Sequence, residues 1–173
     1  TPYTSWDPIG KDISVNAIMS RLSEWDCQHV VLTGGEPMLF AEMLPLCDRL
    51  RAENYHITIE TAGTLYLPLQ CDLMSISPKM TNSAPNIHEH PYWHQRHQRT
   101  RFAPNVIRQL LEHHQCQIKF VIDSEDDLDE VSAYIKQFPE LSLRQIYLMP
   151  QGTSPEELAA RENWLKPYCE QQG

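Results

Sequence analysis

The residues with the clearest chemical meaning form a short glycine-bearing turn early in the chain. The apolar run Val30–Leu32 predicts a buried strand, and the turn Thr33–Pro37 follows it directly. Its paired glycines allow a sharp bend and let a ligand approach the main chain closely, because no Cβ stands in the way. Pro37 stiffens the turn and favours an extended Glu36. A stiff turn with free N–H groups and one carboxylate, at the C-terminal end of a strand, is typical of ligand sites in α/β folds.

Three further strand ends carry polar turns of the same kind, at Glu60–Gly63, Ser77–Lys79 and Met149–Gly152. A plain loop rarely needs Lys, Glu and Thr side chains at such positions. Because the C-terminal ends of parallel strands lie on one edge, all four turns are expected to share a rim. The sequence therefore predicts that this rim is the active-site face.

The order of the elements indicates an α/β fold with a parallel sheet. Helical and extended patterns alternate, and a helix capped by Ser14 precedes the first strand, which itself calls for an earlier strand. We therefore expect an incomplete parallel (β/α)6 barrel of the TIM type that lacks its first strand. The predicted strands are His29–Thr33, His56–Glu60, Asp72–Ser77, Gln117–Ile122 and Gln145–Met149.

The length of 173 residues suits a single domain, 1–173, with a polar insertion at about 80–103 that shows no stable period. The last helix has a capping box at Ser154 and Glu157, and Pro167 is expected to end or kink it. The polar opening and the capped helix at the end suggest that the chain is cut at both ends.

Composition narrows the functional classes. Hydrophobic residues make up 41% of the chain, which fits a globular protein, and the net charge of −9 argues against nucleic-acid binding. No apolar run is long enough for a membrane span and no signal peptide opens the chain, so a cytoplasmic protein is expected. The five cysteines, at 27, 47, 71, 116 and 169, show no C-x-x-C spacing and support neither disulfides nor a metal site.

A histidine- and arginine-rich stretch at 88–101 has two interpretations. His90 and His94 are four residues apart and could bind zinc in a helix, or the stretch could contact RNA. No cysteine or placed carboxylate completes such a metal site, and Pro91 interrupts it. The alternative, a solvated insertion over the mouth of the barrel, is favoured.

The motifs together resemble the radical S-adenosylmethionine superfamily. The resemblance depends on Thr-Gly-Gly-Glu-Pro at 33–37, Glu-Thr-Ala-Gly-Thr at 60–64 and Ser-Pro-Lys at 77–79. The last motif and the opening Thr-Pro-Tyr-Thr at 1–4 are similar to those of one branch, the 7-carboxy-7-deazaguanine synthases, and the similarity covers nearly the whole chain.

This resemblance implies a role for each matching residue. Thr1 would bind Mg²⁺ and Thr33 would contact a pterin substrate, while Glu60 and Thr61 would belong to the rim without a defined role. The remaining positions would bind S-adenosylmethionine: Gly34, Gly35, Glu36, Ser77, Pro78, Lys79, Met149, Pro150, Gln151 and Gly152. No catalytic residue is assigned.

The resemblance also implies a reaction, cofactors and partners. A lyase of this branch converts 6-carboxy-5,6,7,8-tetrahydropterin to 7-carboxy-7-deazaguanine and ammonia in queuosine biosynthesis. It uses S-adenosylmethionine, a [4Fe–4S] cluster and Mg²⁺, with an electron donor such as flavodoxin. A homodimer is expected, without nucleic-acid or membrane partners.

One departure from the branch is large, because the three cysteines that hold its cluster would lie before Thr1. No cysteine of this chain has the spacing to replace them, so residues 1–173 alone are expected to be inactive. Two alternatives stay open: another radical S-adenosylmethionine enzyme of the glycyl-radical activase type, and a non-catalytic binding remnant of the fold.

Overall fold

A computed structural model of the protein describes residues 10–173. In this range the chain alternates between helices and strands, and 3₁₀ turns lie at Pro37–Leu39, Thr81–Ser83 and Leu143–Gln145. The elements are α1 (Val15–Leu22), β1 (His29–Leu32), α2 (Met43–Ala52), β2 (His56–Thr61), β3 (Leu73–Ile76), α3 (Pro91–Thr100), α4 (Pro104–His113), β4 (Cys116–Ile122), α5 (Asp127–Ile135), β5 (Ile146–Pro150) and α6 (Pro155–Gln172).

The strands form one open parallel sheet, in the order β1-β2-β3-β4-β5. Its register pairs Val31 with Thr58, Glu60 with Ser75, and Lys119 with Tyr147. The predicted α/β class and parallel sheet are confirmed. The strand expected ahead of α1 is not among residues 10–173, so this part of the prediction lies outside the described residues.

One face of the sheet forms the hydrophobic core. Along β4, for example, Ile118, Phe120 and Ile122 are fully buried and alternate with partly exposed residues, as the period of a strand requires. Five helices add a buried side chain to this face, namely Met19 from α1, Leu50 from α2, Ile107 from α4, Val131 from α5 and Leu165 from α6. The helices thereby hold the strands in place from one side.

The opposite face of the sheet is polar and open within residues 10–173. Its edge positions remain accessible, since Val31 is 55%, Tyr147 50% and Met149 41% exposed. Near its middle, Gln117 Nε2 donates a hydrogen bond to Ser75 Oγ at 3.0 Å. In a parallel barrel this face would line the interior.

The insertion at 80–103 differs from its sequence-based description. It contains the ten-residue helix α3, which was missed because this helix has no apolar stripe and none of the helix residues is buried. Glu130 of α5 holds the insertion through polar contacts: its carboxylate accepts hydrogen bonds from Arg101 Nη1 at 2.7 Å, from Thr81 Oγ1 at 2.9 Å and from Thr81 N at 3.0 Å. These polar contacts add to apolar ones at the two ends of the insertion, where Met80 is buried in the core and the ring of Phe102 packs edge-on against Tyr134.

The last helix begins as the sequence predicts. Ser154 Oγ accepts from the N–H of Glu157, and the Glu157 side chain returns to the Ser154 N–H, which completes a capping box. Pro167 lies inside α6, which continues to Gln172, so the helix does not end at this proline; a kink at Pro167 stays a prediction. Between residues 10 and 173, no helix combines the length and the apolar character needed to cross a membrane.

The Arg101–Glu130 contact yields a stability prediction. Replacing Arg101 with Met should remove a charge-assisted hydrogen bond between half-buried groups and loosen the insertion by about 1–3 kcal/mol. Amide hydrogen exchange across residues 80–103 should then accelerate, while the strands keep their protection. Arg99→Met is the matched control, since Arg99 is an exposed arginine in the last turn of α3, two residues before Arg101. Equal exchange in the two variants would contradict this role for Arg101.

Candidate functional site

The polar turns singled out in the sequence lie at the C-terminal edge of the sheet and contact one another there. The Ser77 N–H donates to the Thr61 carbonyl at 2.7 Å, which joins the turns after β2 and β3. The Gln151 N–H donates to the Ile122 carbonyl at 2.8 Å, which joins the ends of β4 and β5. The structure thus brings the predicted positions together on one rim, while Thr1, the expected Mg²⁺ ligand, falls outside residues 10–173.

Glu36 ties the turn after β1 to the end of β2. Its Oε1 accepts from Thr61 Oγ1 at 2.7 Å and from the Met38 N–H at 3.1 Å, and its Oε2 accepts from the Ala62 N–H at 2.9 Å. An ionised carboxylate has about four acceptor positions, so about one remains for a ligand. Most of the hydrogen-bonding capacity of Glu36 therefore orients the turn itself.

The paired glycines are held open by this arrangement. Gly34 has φ 98° and Gly35 has φ 57°, in the left-handed region that side-chain-bearing residues avoid. Both residues are exposed, and no other group lies within 4 Å of where their Cβ atoms would be. Their main chain is accessible from the solvent, as the predicted contact with S-adenosylmethionine requires.

Glu60 is the centre of a second polar network on the open face. It accepts a hydrogen bond from Lys119 Nζ at 3.2 Å on Oε1 and one from Thr33 Oγ1 at 3.0 Å on Oε2. Burial alone would raise the pKa of Glu60. The hydrogen bonds from Lys119 and Thr33, with the charges of Lys119 and Lys79, outweigh burial and hold this pKa below its ordinary value. Glu60 is thus ionised at neutral pH.

A cavity of about 340 Å³ opens beside this network. It contains four of the predicted residues, together with neighbours from the insertion and β4. Its lining is Ser77, Pro78, Lys79, Met80, Asn82, Ser83, Val121, Asp123 and Gln151.

The other predicted residues of the last turn have different surroundings. Met149 is exposed on the open face, and Pro150 is the last residue of β5, paired with Ile122. Gly152 lies against Leu158 of α6, where a Cβ would come within 2.8 Å of the Leu158 side chain. The glycine at 152 therefore lets the turn pack closely against α6, and a larger residue would have to displace the Leu158 side chain.

Lys79 places a cation at the mouth of the cavity. The residue is exposed, yet the protein around it withdraws part of its hydration and lowers the pKa of its ammonium group. The carboxylates of Glu36 and Glu60 oppose this shift, and the charge of Lys119 adds to it.

Sequence reasoning missed Lys119, which forms the ion pair with Glu60. The pattern that could have revealed it is the alternation in β4, where Gln117 and Lys119 stand between buried apolar residues. A lysine in the middle of a central strand indicates a polar face with a carboxylate partner. Asn82 and Asp123 of the cavity were also missed, because their turns contain no recognisable motif.

The cysteines are poorly placed to bind a [4Fe–4S] cluster at the rim. Cys27, Cys71 and Cys116 lie at or just before the starts of β1, β3 and β4, and seven-residue β4 alone separates the two edges by about 20 Å. Burial raises the pKa of Cys71 and Cys116 to about 12, whereas cluster ligands are thiolates. Cys47 is buried on α2, and Cys169 is near the end of α6.

The histidines of the insertion make contacts within the protein. His94 Nδ1 lies 2.8 Å from the Pro85 carbonyl, and His97 Nε2 lies 3.0 Å from Ser83 Oγ. Across residues 10–173, no group of three or more His, Cys, Asp or Glu side chains has a metal-binding arrangement.

Comparison with known proteins found relatives by sequence but no matching family model. No family model matches the chain. The chain is 40% identical, over its whole length and 67% of the relative, to a 7-carboxy-7-deazaguanine synthase of Rhodopirellula baltica. It is 33% identical, over 99% of its length and 70% of the relative, to a 7-carboxy-7-deazaguanine synthase of Halobacterium salinarum.

A solved structure agrees with the fold. The crystal structure of QueE from Escherichia coli matches 89% of this chain with a TM-score of 0.59 and 22% sequence identity. The chain spans 61% of that structure and about two thirds of the two curated relatives. Sequence similarity of this extent leads to one assignment: the chain belongs to the 7-carboxy-7-deazaguanine synthase family.

Proposed function

We propose that the protein acts as a 7-carboxy-7-deazaguanine synthase, a radical S-adenosylmethionine lyase of queuosine biosynthesis. Its substrate would be 6-carboxy-5,6,7,8-tetrahydropterin and its products 7-carboxy-7-deazaguanine and ammonia. The names of the relatives support this proposal. The observation that carries it is the single rim, where the Thr33–Glu60–Lys119 network lies beside the cavity at Ser77–Lys79.

The residues of the rim suit S-adenosylmethionine. The exposed main chain at Gly34 and Gly35 and the remaining acceptor position of Glu36 would bind the methionine end, because an ammonium group is attracted to carbonyls and a carboxylate. Lys79 would bind the carboxylate of that end, and Met149, Pro150, Gln151 and Gly152 would pack near the adenosine. The cavity volume of about 340 Å³ falls in the range of small-molecule sites.

When bound, S-adenosylmethionine would supply the radical chemistry that starts the rearrangement. The residues of this chain would bind, orient and shield the reactants, with Thr33 as the contact to the pterin. The described residues do not fit a [4Fe–4S] cluster, since none of the cysteines lies at the rim. Thr1 would supply an oxygen to Mg²⁺, which prefers oxygen ligands.

The partners follow from the same proposal. They are the small pterin substrate, an electron donor such as flavodoxin and a second copy of the chain in a homodimer. The protein would work in the cytoplasm, without nucleic-acid or membrane partners. The net charge of −9 agrees with the absence of a nucleic-acid partner.

The positions of the cysteines favour a second candidate, a non-catalytic binding module built on the same fold. Such a module would keep the rim and bind its ligands without turning them over. The two candidates predict the same binding behaviour and differ in cluster chemistry. Residues 1–173 alone are expected to form no cluster in either case, so the candidates are separated by reconstituting the encoded protein, including any residues ahead of Thr1, with iron and sulfide.

The cavity yields a binding prediction. The chain should bind S-adenosylmethionine, and Lys79→Ala should weaken binding about tenfold or more, because a charge-assisted hydrogen bond at the mouth is lost. Equilibrium dialysis measures both constants, and Lys136→Ala, at an exposed lysine just after α5, is the control.

Binding of 6-carboxypterin, a stable oxidised analogue of the substrate, distinguishes the branches of the superfamily. The proposed synthase binds both the analogue and S-adenosylmethionine. A chain that binds S-adenosylmethionine but not the pterin would instead support an activase-type enzyme.

Cluster formation gives the third prediction. Residues 1–173 reconstituted with iron and sulfide should form no site-differentiated [4Fe–4S] cluster, because the cysteines are scattered and burial raises the pKa of Cys47 to about 11 and of Cys71 and Cys116 to about 12. Iron analysis and EPR spectroscopy check this. A stoichiometric cluster whose EPR signal changes on adding S-adenosylmethionine would overturn it.

A further inference from the structure

The direction of the hydrogen bond between Thr33 and Glu60 is fixed by charge. An ionised carboxylate has no proton to give, so the Thr33 hydroxyl is the donor in the 3.0 Å contact with Glu60 Oε2. The hydroxyl proton of Thr33 is thereby used in a hydrogen bond within the protein. Only the lone pairs of Thr33 remain for a ligand.

Lys119, on β4, keeps the Glu60 carboxylate ionised from two strands away, across β3. Its ammonium donates to Glu60 Oε1 at 3.2 Å, with the Lys119 side chain 25% and the Glu60 side chain 39% exposed. Each carboxylate oxygen has then accepted one bond and keeps about one further acceptor position. Thr33 and Glu60 together offer a ligand several acceptors and no donor.

We infer that Lys119 is a positioning residue, which fixes Glu60 as an anion so that Thr33 and Glu60 form an acceptor-only pair selective for a ligand edge of N–H or O–H donors. The inference rests on the proposed function, in which that edge belongs to the pterin. It deepens the proposal by giving a role to a residue that the motifs do not include.

Lys119 is distinct from the other charges near Glu60. Lys79, on the turn after β3, also attracts the Glu60 carboxylate but makes no hydrogen bond to it within residues 10–173. Glu36, on the turn after β1, is engaged with Thr61 and Ala62. On β4, Gln117 is bonded to Ser75. The direct orienting contact therefore comes from Lys119.

The pH dependence follows from the sign of the shift. The folded pKa of Glu60 is below its ordinary value, so the network is complete at neutral pH and is lost as the pH falls through that lowered pKa. Without the lysine, two of the causes that lower the pKa of Glu60 are lost, while the hydrogen bond from Thr33 and the charge of Lys79 still oppose burial, so this pKa should rise relative to the wild type. Protonated Glu60 would gain a donor, so the variant would lose the acceptor-only pair at a higher pH than the wild type.

The test uses Lys119→Met, with Lys119→Arg as the conservative variant and Lys136→Met as the control for removal of a lysine. The first measurement needs no ligand: ¹³C NMR follows the titration of the Glu60 carboxyl group, assigned with Glu60→Gln. Lys119→Met should raise the midpoint, and Lys119→Arg should keep it near that of the wild type.

The second measurement is the binding of 6-carboxypterin, followed by its fluorescence. Lys119→Met should weaken binding about tenfold at about pH 5, and less at about pH 7, while the wild type changes little between the two. Lys119→Arg should restore both the affinity and the pH profile, which a merely structural role of the lysine would not predict.

The outcomes separate this inference from the proposed function. An unchanged titration midpoint in Lys119→Met, or unchanged affinity at both pH values, overturns the role of Lys119. A wild-type chain that binds no pterin overturns the proposed substrate, and the Glu60 titration then decides alone whether Lys119 fixes the carboxylate.

Discussion

The parallel direction of the strands is the constraint on which the structure depends. Because every strand runs in the same direction, the C-terminal ends of all the strands fall on one edge of the sheet. Turns that are far apart in sequence thereby become neighbours. The same geometry divides the sheet into two faces. Helices take one face, so the other is left with side chains such as Glu60 and Lys119 that an enclosed apolar core would exclude.

The two carboxylates of the rim, Glu36 and Glu60, are chemically the same but have different structural roles. Glu36 accepts from two main-chain N–H groups and a hydroxyl, and so shapes a turn. Glu60 faces a lysine and a hydroxyl, and so creates a charged patch on the open face. The difference comes from the strand face and the turn geometry, because the side chains themselves are identical.

The sequence contained enough information for the fold and for most of the rim. The alternation of apolar residues predicted the strands to within a residue or two, and the paired glycines predicted the sharp, accessible turn at Gly34 and Gly35. Contacts between polar residues that are far apart in the sequence could not be predicted from it. The bond between Arg101 and Glu130 spans 29 positions, and that between Lys119 and Glu60 spans 59, with no local pattern to indicate either. Helix α3 was missed for a related reason, since it buries no residue whose spacing could be recognised.

The attachment of the insertion has a thermodynamic consequence for the rim. Arg101 Nη1, which donates to Glu130, also donates to the carbonyl of Lys79 at 3.3 Å. The main chain of Lys79, at the mouth of the cavity, is thus attached to α5 through Arg101. Linkage makes such an effect reciprocal. If a ligand favours the position of Lys79 that this hydrogen bond holds, the attachment of the insertion strengthens ligand binding by some factor. Ligand binding then strengthens the attachment by the same factor. The attachment of the insertion, which includes α3, should therefore become stronger when such a ligand fills the cavity.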